Sequence, residues 1–463
     1  MFPAPSSPKA AALLLALALS GCASVDPADP LADVNRLTQP HTGLPLTDHP
    51  LSPDVLADRL REPLSADAAS TLALQNNRAL QARLARLGIT AADVADAGRL
   101  PNPGFRFSRL TRGDTVELER GWHVDLARLL ALPLVRGAEQ RRLQAAQQAT
   151  AADVLTLAAD TRRAWVRAVA AEEALAYRRQ VLDAAEAGAE LARRMQAAGN
   201  FNALARAREQ AFETDARLAL ARAEATRLST REQLVRLMGL EDGAALRLPA
   251  HLPELPEAPR DPRDVEAQAL AQRLDVQAAR LALEQAGRQL DAARLTRWVS
   301  MLELGTVRNS SNQEPTQRGW EVALELPLFG PGPLPKAEAL AREATHTAAD
   351  VALQARFEVR QALGLYRSAY DIARRHRDDA VPLARQVADE QLRRYNAMLI
   401  GVFELLADAR AQVAAVSAAQ EALRDFWLAQ ADLAQALVGP GRSAAALTSP
   451  TPVSAMASAG AAH

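Results

Sequence analysis

The stretch GWEVALELPL at residues 319–328 decides the fold of the second half of the chain. From Trp320 onward every second residue is apolar up to the proline, and the residues between them include two glutamates. A period of two predicts a β-strand with one apolar and one polar face. The stretch GWHVDL at residues 121–126 repeats the pattern in the first half.

Two more alternating segments lie upstream of these, so the sequence predicts strands at about 103–110, 118–127, 298–308 and 318–327. Each has roughly the 9–11 residues of a transmembrane strand, with an aromatic residue near one end. The residues expected to face lipid in a barrel are Phe105, Phe107, Trp122, Val124, Leu126, Leu302, Leu304, Trp320, Val322 and Leu324. The alternative is a pair of amphipathic hairpins packed on a soluble core. Because an open sheet edge is not tolerated in lipid, a barrel would need strands from several chains, and three chains would supply twelve.

The chain repeats the same order of features in residues 67–240 and 264–439. The tetrapeptide AADV occurs at 151–154 and again at 348–351, and the halves end on LMG and LVG. Matches in the same order at a nearly constant separation indicate an internal duplication.

Long helical segments follow each strand pair. The sequence predicts one long helix over residues 136–198 and another over residues 336–398, the second with a kink at Pro382. The flanking helices, at 66–100 and 203–239, are each about half as long. These lengths favour an elongated antiparallel helical bundle.

Composition excludes several classes of protein. Lys plus Arg is 54 and Asp plus Glu is 55, which argues against a nucleic-acid binder. No stretch has the roughly 20 apolar residues of a membrane-spanning helix. The seven histidines form no metal-ligand pair and no catalytic motif is present, so we expect no enzyme activity, no metal and no cofactor.

The N-terminus carries a targeting signal. A single Lys9 precedes a short apolar run at residues 10–19, which predicts a secretory signal peptide over 1–21. Residues 19–22 read LSGC and resemble the lipobox of bacterial lipoproteins, and Cys22 is the only cysteine. By that resemblance Cys22 is the lipidated mature N-terminus, and Ala23 after it lacks the inner-membrane retention signal. An ordinary cleaved signal with an incidental cysteine is the alternative.

Three further segments complete the expected organisation. Residues 22–65 predict a lipid-anchored extended arm, since they are rich in Pro and Asp. Residues 241–263 hold five prolines and predict a linker or a small connecting layer, and residues 440–463 predict a disordered tail.

Four motifs in order carry a family resemblance: NNxxL at 76–80, LPNP at 100–103, LPLFG at 326–330 and YNxMLIGVFELL at 395–406. With them, roughly residues 66–439 resemble the TolC-type outer-membrane efflux channel family, in its lipid-anchored branch. The resemblance implies a mainly α fold with a β-barrel part. It implies a homotrimer in which a twelve-stranded barrel in the outer membrane continues into a periplasmic tunnel of twelve helices. It also implies passive export, with a periplasmic adaptor protein coupling the trimer to an inner-membrane pump.

The resemblance places adaptor contact at two helix-to-helix turns. The residues concerned are Gly199, Asn200 and Phe201 in the first turn and Leu399, Ile400, Gly401 and Val402 in the second. We expect positive φ angles at Gly199 and Gly401. Met195 and Met398 lie near these turns, and isolated methionines of this kind are packing residues more often than copper ligands.

The pore gate of the family does not carry over directly. Many members have two aspartates three residues apart beyond the second turn, but this chain has Phe403 and Leu406 there. Glu404 and Asp408, one helical turn apart, are the nearest acidic candidates for a gate. The alternative is that they form an ordinary solvated helix face.

A second function remains open from the sequence, namely a periplasmic coiled-coil adaptor or scaffold lipoprotein. An adaptor would show one helical hairpin in a β-rich protein, whereas this chain predicts two hairpins and two strand pairs. No residue pattern specifies the exported substrate or the class of pump.

Overall fold

The computed structural model describes residues 30–43, 46–47, 49, 51–97, 99–243, 245–259, 263–296, 301–325 and 332–440. The predicted signal peptide, Cys22, the LPLFG motif and the predicted tail beyond residue 440 lie outside the described residues.

The elements occur in the same order in both halves from α3 onward, as the sequence repeat predicts. The first half contains helices α1 (Pro30–Thr42), α2 (Pro53–Arg59), α3 (Ala66–Asn76) and α4 (Arg78–Ala97), strands β1 (Gly104–Arg112) and β2 (Thr115–Asp125), and helices α5 (Leu126–Ala197) and α6 (Ala203–Leu237). The second half contains helices α7 (Val265–Gln272) and α8 (Leu274–Thr296), strands β3 (Met301–Ser311) and β4 (Gln317–Glu325), helix α9 (Leu334–Arg375), a π-helical segment (His376–Ala380), and helices α10 (Val381–Asn396) and α11 (Val402–Val438). Among the described helices, none combines the length and the apolar character needed to cross a bilayer.

The chain divides into two compact units, and each unit takes residues from both halves. Among the described residues, the strand unit comprises 30–36, 84–147 and 280–346, and the helix unit comprises 37–83, 148–279 and 347–440. The sheet lies in the strand unit, and both halves of the duplicated helical core lie in the helix unit.

The four strands form one antiparallel sheet in the order β1-β2-β3-β4. Pairing of β2 with β3 joins the two halves of the chain, with Trp122 opposite Thr306 and Val124 opposite Leu304. The sheet therefore has two distinct sides. We call the side that holds Phe105 and Trp122 the aromatic face, and the opposite side, which holds Gly121 and Gly305, the glycine face.

Strand β2 ends before Leu126, which corrects the prediction that this residue lies on a strand. Helix α5 begins at Leu126. The reason is a cap: the Asp125 carboxylate accepts a hydrogen bond from the Arg128 backbone N–H at 2.9 Å. An Asp in this position satisfies an amide of the first helical turn and starts the helix there.

The first helical stretch of each repeat is broken once, at equivalent places: the predicted helix over 66–100 is interrupted at Asn77, and the stretch over 265–296 at Arg273, whereas the predicted helix over 203–239 is continuous as α6. Asn77 and Arg273 adopt extended backbone, with ψ of 114° and 125°. Four residues later, the side-chain amides of Gln81 and Gln277 donate back across the break, to the backbone carbonyls of Gln75 and Ala271 respectively. The duplicated sequence therefore encodes a duplicated helix break.

The break in each half receives the end of that half's last helix. The Asn77 amide donates to the Leu237 carbonyl at 2.9 Å, and the Arg273 guanidinium donates to the Ala436 carbonyl at 3.3 Å. Gly239, just after α6, has φ of 69° and lies so close to the break that a Cβ there would be 2.4 Å from the Asn76 backbone carbonyl oxygen. Arg273 is fully buried, and it is held by Asp275 at 2.7 Å and Glu358 at 2.8 Å. Burial opposes its charge, but the two carboxylates outweigh that effect, and the pKa of Arg273 is raised.

The second long helix changes to π geometry immediately before Pro382. The Val381 N–H donates to the His376 carbonyl, five residues back. Proline has no N–H and its ring clashes with the preceding turn, so a wider turn accommodates it. The predicted kink site is therefore a π-helical segment.

The prediction of an extended arm over 22–65 is wrong for the described part from residue 30. This part forms α1 and α2, and Leu60 and Leu64 are buried in the core of the helix unit. The Trp165 indole donates to the Leu64 carbonyl at 2.6 Å. Burial of these leucines, worth roughly 1.5–3 kcal/mol each, fixes the segment on the helices.

The proline-rich segment at 241–263 is a packed connecting layer in its described residues. Leu252 lies in the core of the first half and Leu255 in that of the second. The Tyr370 hydroxyl donates to the Glu257 carbonyl at 2.6 Å, and the Trp427 indole donates to the Pro253 carbonyl at 2.9 Å. Side chains from the helices thus satisfy backbone groups that the prolines leave without secondary structure.

Candidate functional site

Two helix-to-helix turns of the helix unit share one backbone design. In the first tip, which comprises residues 198–202, the Asn200 N–H donates to the Met195 carbonyl at 2.9 Å. In the second tip, which comprises residues 397–401, the Leu399 N–H donates to the Arg394 carbonyl at the same distance. The preceding residue of each turn donates to the carbonyl three residues back, Gly199 to Gln196 and Met398 to Tyr395. The two bonds together make each tip a Schellman motif, which satisfies the last carbonyls of the helix.

The residue with positive φ is a glycine in one tip and a methionine in the other. Gly199 has φ of 77° and Met398 has φ of 59°. Gly401 has φ of −81° and precedes α11 in extended backbone, so the expectation of a positive φ there is wrong. The Schellman motif places the left-handed residue two positions after the helix end, and that position in the second tip is Met398.

The second tip exposes apolar side chains to an unusual degree. Met398 is 92% exposed and Leu399 is 73% exposed, and Leu204 beside the first tip is 63% exposed. Met398 therefore does not pack inside the chain, contrary to the expectation from its sequence. A left-handed conformation is disfavoured for any residue but glycine, so this methionine is held in strain at an exposed turn.

The other predicted tip residues are distributed over both turns. Gly199, Asn200 and Gly401 are exposed, whereas Phe201, Ile400 and Val402 are half-buried. Asn202, which follows the predicted first-tip residues, caps α6 by accepting from the Ala205 N–H at 2.7 Å. The second tip has glycine at the equivalent capping position and no side-chain cap.

A partly buried ion pair near the tips joins the two helical hairpins. The Arg410 guanidinium on α11 donates to the Glu209 carboxylate on α6 at 2.6 Å, and the Glu209 side chain is only 8% exposed. The same guanidinium lies 4.3 Å from the centre of the Phe212 ring. No sequence pattern predicts this pair, because its members lie in different repeats and neither belongs to a recognisable motif.

The two candidate gate residues differ in their surroundings. Glu404 is exposed, in the first turn of α11. Asp408 is half-buried, and its Oδ2 atom is enclosed without a hydrogen-bond partner among the described residues. The structure brings neither of them into the ion pair of Arg410.

Nine of the ten residues expected to face lipid lie on the aromatic face of the sheet, as the strand register shows. Leu126, at the start of α5, is the exception. Phe105 pairs with Trp122, Val124 with Leu304, Leu304 with Val322, and Leu302 with Leu324. The rings of Phe105 and Trp122 lie 5.0 Å apart, and Trp320 is exposed. A large apolar surface is thus left open on this face.

The glycine face has the opposite character. Each strand places one glycine on it, namely Gly104, Gly121, Gly305 and Gly319. A Cβ on Gly305 would lie 2.6 Å from the Trp122 carbonyl oxygen, and one on Gly104 would meet the His123 ring. Glycine at such points allows close approach and tight bending of strands.

An ion pair crosses the glycine face from one edge strand to the other. Arg106 of β1 donates to Glu321 of β4 at 3.3 Å, although β2 and β3 lie between them. The face therefore carries polar side chains that interact across the whole width of the sheet.

The described residues contain no group of three or more His, Cys, Asp or Glu side chains placed to hold a metal ion. The features that stand out are instead two exposed turns and a two-sided sheet.

No protein-family model and no curated protein matches the sequence. Solved structures match its fold. The CmeC outer membrane channel of Campylobacter jejuni is 15% identical, with 87% of this chain and 91% of that chain covered and a TM-score of 0.70. The MtrE outer membrane channel of Neisseria gonorrhoeae, in its open state, is 21% identical, with 82% and 89% covered and a TM-score of 0.68. The chain has the TolC-type outer-membrane channel fold.

The outer membrane protein VceC of Vibrio cholerae shares the TolC-type fold, at 19% identity, 81% and 96% coverage and a TM-score of 0.67. The likeness extends over most of each chain, so both units of the present chain are included in it. The mainly α fold class expected from the sequence is confirmed, and the described strands form one four-stranded sheet.

Proposed function

We propose that the chain forms the outer-membrane channel of a tripartite export system, a passive conduit for substrates that an inner-membrane pump delivers. The observation that carries the proposal is the fold, which is shared with outer membrane channels over more than four-fifths of the chain. Two helical hairpins and a four-stranded sheet also favour a channel over an adaptor or scaffold lipoprotein, since an adaptor needs only one hairpin.

The working assembly in this proposal is a homotrimer. Within the described strands, β1 pairs only with β2 and β4 pairs only with β3, so both edges of the sheet are open. An open edge is not tolerated in lipid. Three copies that join edge to edge would close a barrel of twelve strands, and their helices would supply the periplasmic tunnel of twelve helices. Size analysis in detergent tests this assembly, and a monomer would contradict it.

The aromatic face is the lipid-facing side of the proposed barrel, and the glycine face lines its lumen. Supporting this assignment, the aromatic face exposes Phe, Trp, Leu and Val side chains, while the glycine face carries the Arg106–Glu321 ion pair. In transmembrane barrels apolar residues face out and polar residues face in.

The two tips are the proposed contact with the periplasmic adaptor. Met398 and Leu399 are exposed apolar side chains on a turn, and apolar residues of this kind form the centre of protein interfaces. The proposed contact residues are Gly199, Asn200, Phe201, Leu399, Ile400, Gly401 and Val402, with Met398 added by the structure.

Opening of the periplasmic end would need the helices near the tips to separate. Glu404 and Asp408 are the proposed gate carboxylates, and the Arg410–Glu209 pair is a link that such a movement would strain. Breaking a buried ion pair leaves an uncompensated charge and costs about 3–5 kcal/mol. We therefore expect Arg410→Met to raise channel conductance and Glu404→Gln to change ion selectivity in planar bilayers, and unchanged conductance of Arg410→Met would show that the link does not hold the end closed.

The proposed location is the outer membrane, with the helices in the periplasm and a lipid anchor on Cys22. Metabolic labelling with a radioactive fatty acid tests the anchor. A Cys22→Ser chain that is labelled as strongly as the unchanged chain would refute it.

Conductance in planar bilayers tests the proposed function directly. The purified chain should form discrete ion-conducting channels. Leu324→Arg places a charge on the aromatic face, four residues from Trp320, and should prevent insertion, because a lipid-facing Arg costs about 2–4 kcal/mol near the bilayer midplane. Ala323→Arg, one residue away on the glycine face, is the matched control and should still conduct. Absence of conductance from the unchanged chain, or equal behaviour of the two variants, would contradict the proposal.

A further inference from the structure

Three arginines stand side by side on the aromatic face of the sheet. Arg120 is the direct partner of Arg308 in the β2–β3 register, and Arg308 is the direct partner of Arg318 in the β3–β4 register. All three are exposed. Arg109 lies on the same face in the next row, opposite Leu118. We call Arg120, Arg308 and Arg318 the arginine row.

The arginine row has no acidic residue beside it on its own face. Within β1–β4, the aromatic face holds no Asp or Glu, and all the carboxylates of the strands lie on the glycine face: Glu117, Glu119, Asp125, Glu303, Glu321 and Glu325. On that face Arg106 has found a carboxylate partner, Glu321. The described residues supply no ion pair to the arginine row.

Like charges directly opposite each other on neighbouring strands destabilise a sheet. Neighbouring strands are only about 4.7–4.9 Å apart, so the row sets three positive charges within roughly 10 Å along one face. An arrangement of this kind is relieved when an anion binds across it. The row is thus an incomplete site, since the described residues supply no counter-charge on its face.

The height of the row on the sheet points to the kind of anion. The row lies two residues beyond the row of Phe105, Trp122 and Trp320, on the side of the hairpin turns and away from the ends that join the helices. Two residues correspond to about 7 Å along a strand. Aromatic side chains gather at the membrane interface, and an Arg facing lipid costs about 0–1 kcal/mol there against about 2–4 kcal/mol at the midplane. In the proposed barrel this places the arginines at headgroup depth.

We propose that Arg120, Arg308 and Arg318 bind the phosphate groups of anionic lipid headgroups in the outer leaflet. This inference rests on the proposed function, because it takes the aromatic face as the lipid-facing side of a barrel. Guanidinium groups match phosphate oxygens with two parallel hydrogen bonds, which an ammonium group does not. The occupant is a lipid and not a free ion, because the apolar rows directly below the arginines would receive its acyl chains.

Binding of a fluorescent bisphosphorylated lipid A to the purified full-length protein in nonionic detergent tests the site. The unchanged chain should bind it at least tenfold more tightly than the triple variant Arg120→Gln, Arg308→Gln, Arg318→Gln. Arg112→Gln, on the glycine face, is the matched control and should bind like the unchanged chain. Affinity should fall as salt is added.

Two further arms identify the ligand. Lipid A without phosphates should bind weakly and equally to all variants, and inorganic phosphate at millimolar concentration should not compete. Equal affinity of the triple variant and the unchanged chain would overturn the proposal, and so would equal affinity for the two forms of lipid A. Competition by inorganic phosphate would show a free-anion site and overturn the lipid assignment.

The site and the proposed channel can fail separately. Conductance in a neutral bilayer tests the channel and does not involve the arginine row, so the triple variant should conduct there like the unchanged chain. If the triple variant does not fold, Arg308→Gln alone, at the centre of the row, should bind lipid A about threefold to fivefold more weakly. A triple Arg→Lys variant should fall between, since it keeps the charge and loses the paired hydrogen bonds.

Discussion

Replacing Met398 with glycine separates the strain of the second tip from the use of its side chain. The left-handed conformation costs an L-residue roughly 1–2 kcal/mol, and glycine avoids this cost. Glycine also raises the conformational entropy of the unfolded chain, which reduces the gain in stability by about 0.5–1 kcal/mol. Because the Met398 side chain is almost wholly exposed, the change removes little packing. The net effect is a turn stabilised by about 0.5–1 kcal/mol, which corresponds to a twofold to fivefold smaller population of the opened turn.

Amide hydrogen exchange of the tip peptides in detergent measures this opening. Exchange over residues 393–400 should slow in Met398→Gly and stay unchanged in the first tip. Gly199→Ala is the reciprocal control, since it puts an L-residue at the equivalent position, where no atom lies within 4 Å of the added Cβ, and exchange of the first tip should rise. Unchanged or faster exchange in Met398→Gly would refute the argument that this turn is strained.

Export by cells carrying the same variants then tests whether the Met398 side chain contacts the adaptor. If Met398 contacts the adaptor, Met398→Gly and Met398→Ala should both reduce export, although the first stabilises the turn and the second does not. Stability and activity would move in opposite directions, as is common where a strained residue serves a function. Full export by both variants would remove Met398 from the proposed contact.

Three other changes test the fold around this site. Gly239→Ala should reduce the free energy of unfolding by about 3 kcal/mol, because its Cβ would overlap the Asn76 backbone carbonyl oxygen. This loss is measured as a lower apparent melting temperature by circular dichroism. Gly364→Ala, in an open helix interior, is the control and should be neutral or stabilising by about 0.5–1 kcal/mol. Arg273→Met should cost about 1–3 kcal/mol in the same measurement, since it leaves the half-buried carboxylates of Asp275 and Glu358 without this partner; no loss would show that water replaces the guanidinium. A hydrogen bond from Arg194 and the charge of Arg193 lower the pKa of Glu190. The amides at the end of α5 should therefore stay protected from hydrogen exchange above the usual Glu pKa and lose that protection as the pH falls through the lowered pKa. Protection that does not change with pH, after correction for intrinsic exchange rates, would contradict this.

Much of the local structure could be predicted from the sequence, because it depends on local patterns. Period-two alternation identified the four strands and the side on which Trp122 and Trp320 lie. The repeat identified two equivalent helical hairpins, and Gly199 marked the left-handed residue of the first tip. These features need only neighbouring residues, since alternation, helix ends and turns are local properties of the backbone.

The sequence failed where a local rule had two solutions. At the second tip the glycine Gly401 was the better candidate for positive φ by residue type, but the helix ends two residues before Met398, and the Schellman geometry decides the position. Likewise, Asp125 ends β2 by capping a helix, whereas alternation alone carried the strand on to Leu126. In both places backbone hydrogen bonding outweighed residue preference.

What the sequence determined by itself is the set of elements, their order and their duplication, together with the polarity of each strand face. What only the tertiary structure decided is which distant residues meet. The Arg410–Glu209 pair joins different repeats, and the register of β2 against β3 aligns Arg120 with Arg308 across the halves of the chain. Alternation fixes the side of the sheet on which a residue lies, but a shift of two residues between strands preserves that side while changing every partner. Partners across the sheet and between the hairpins are therefore set by long-range packing, and these partners give the proposed lipid site and the link near the tips.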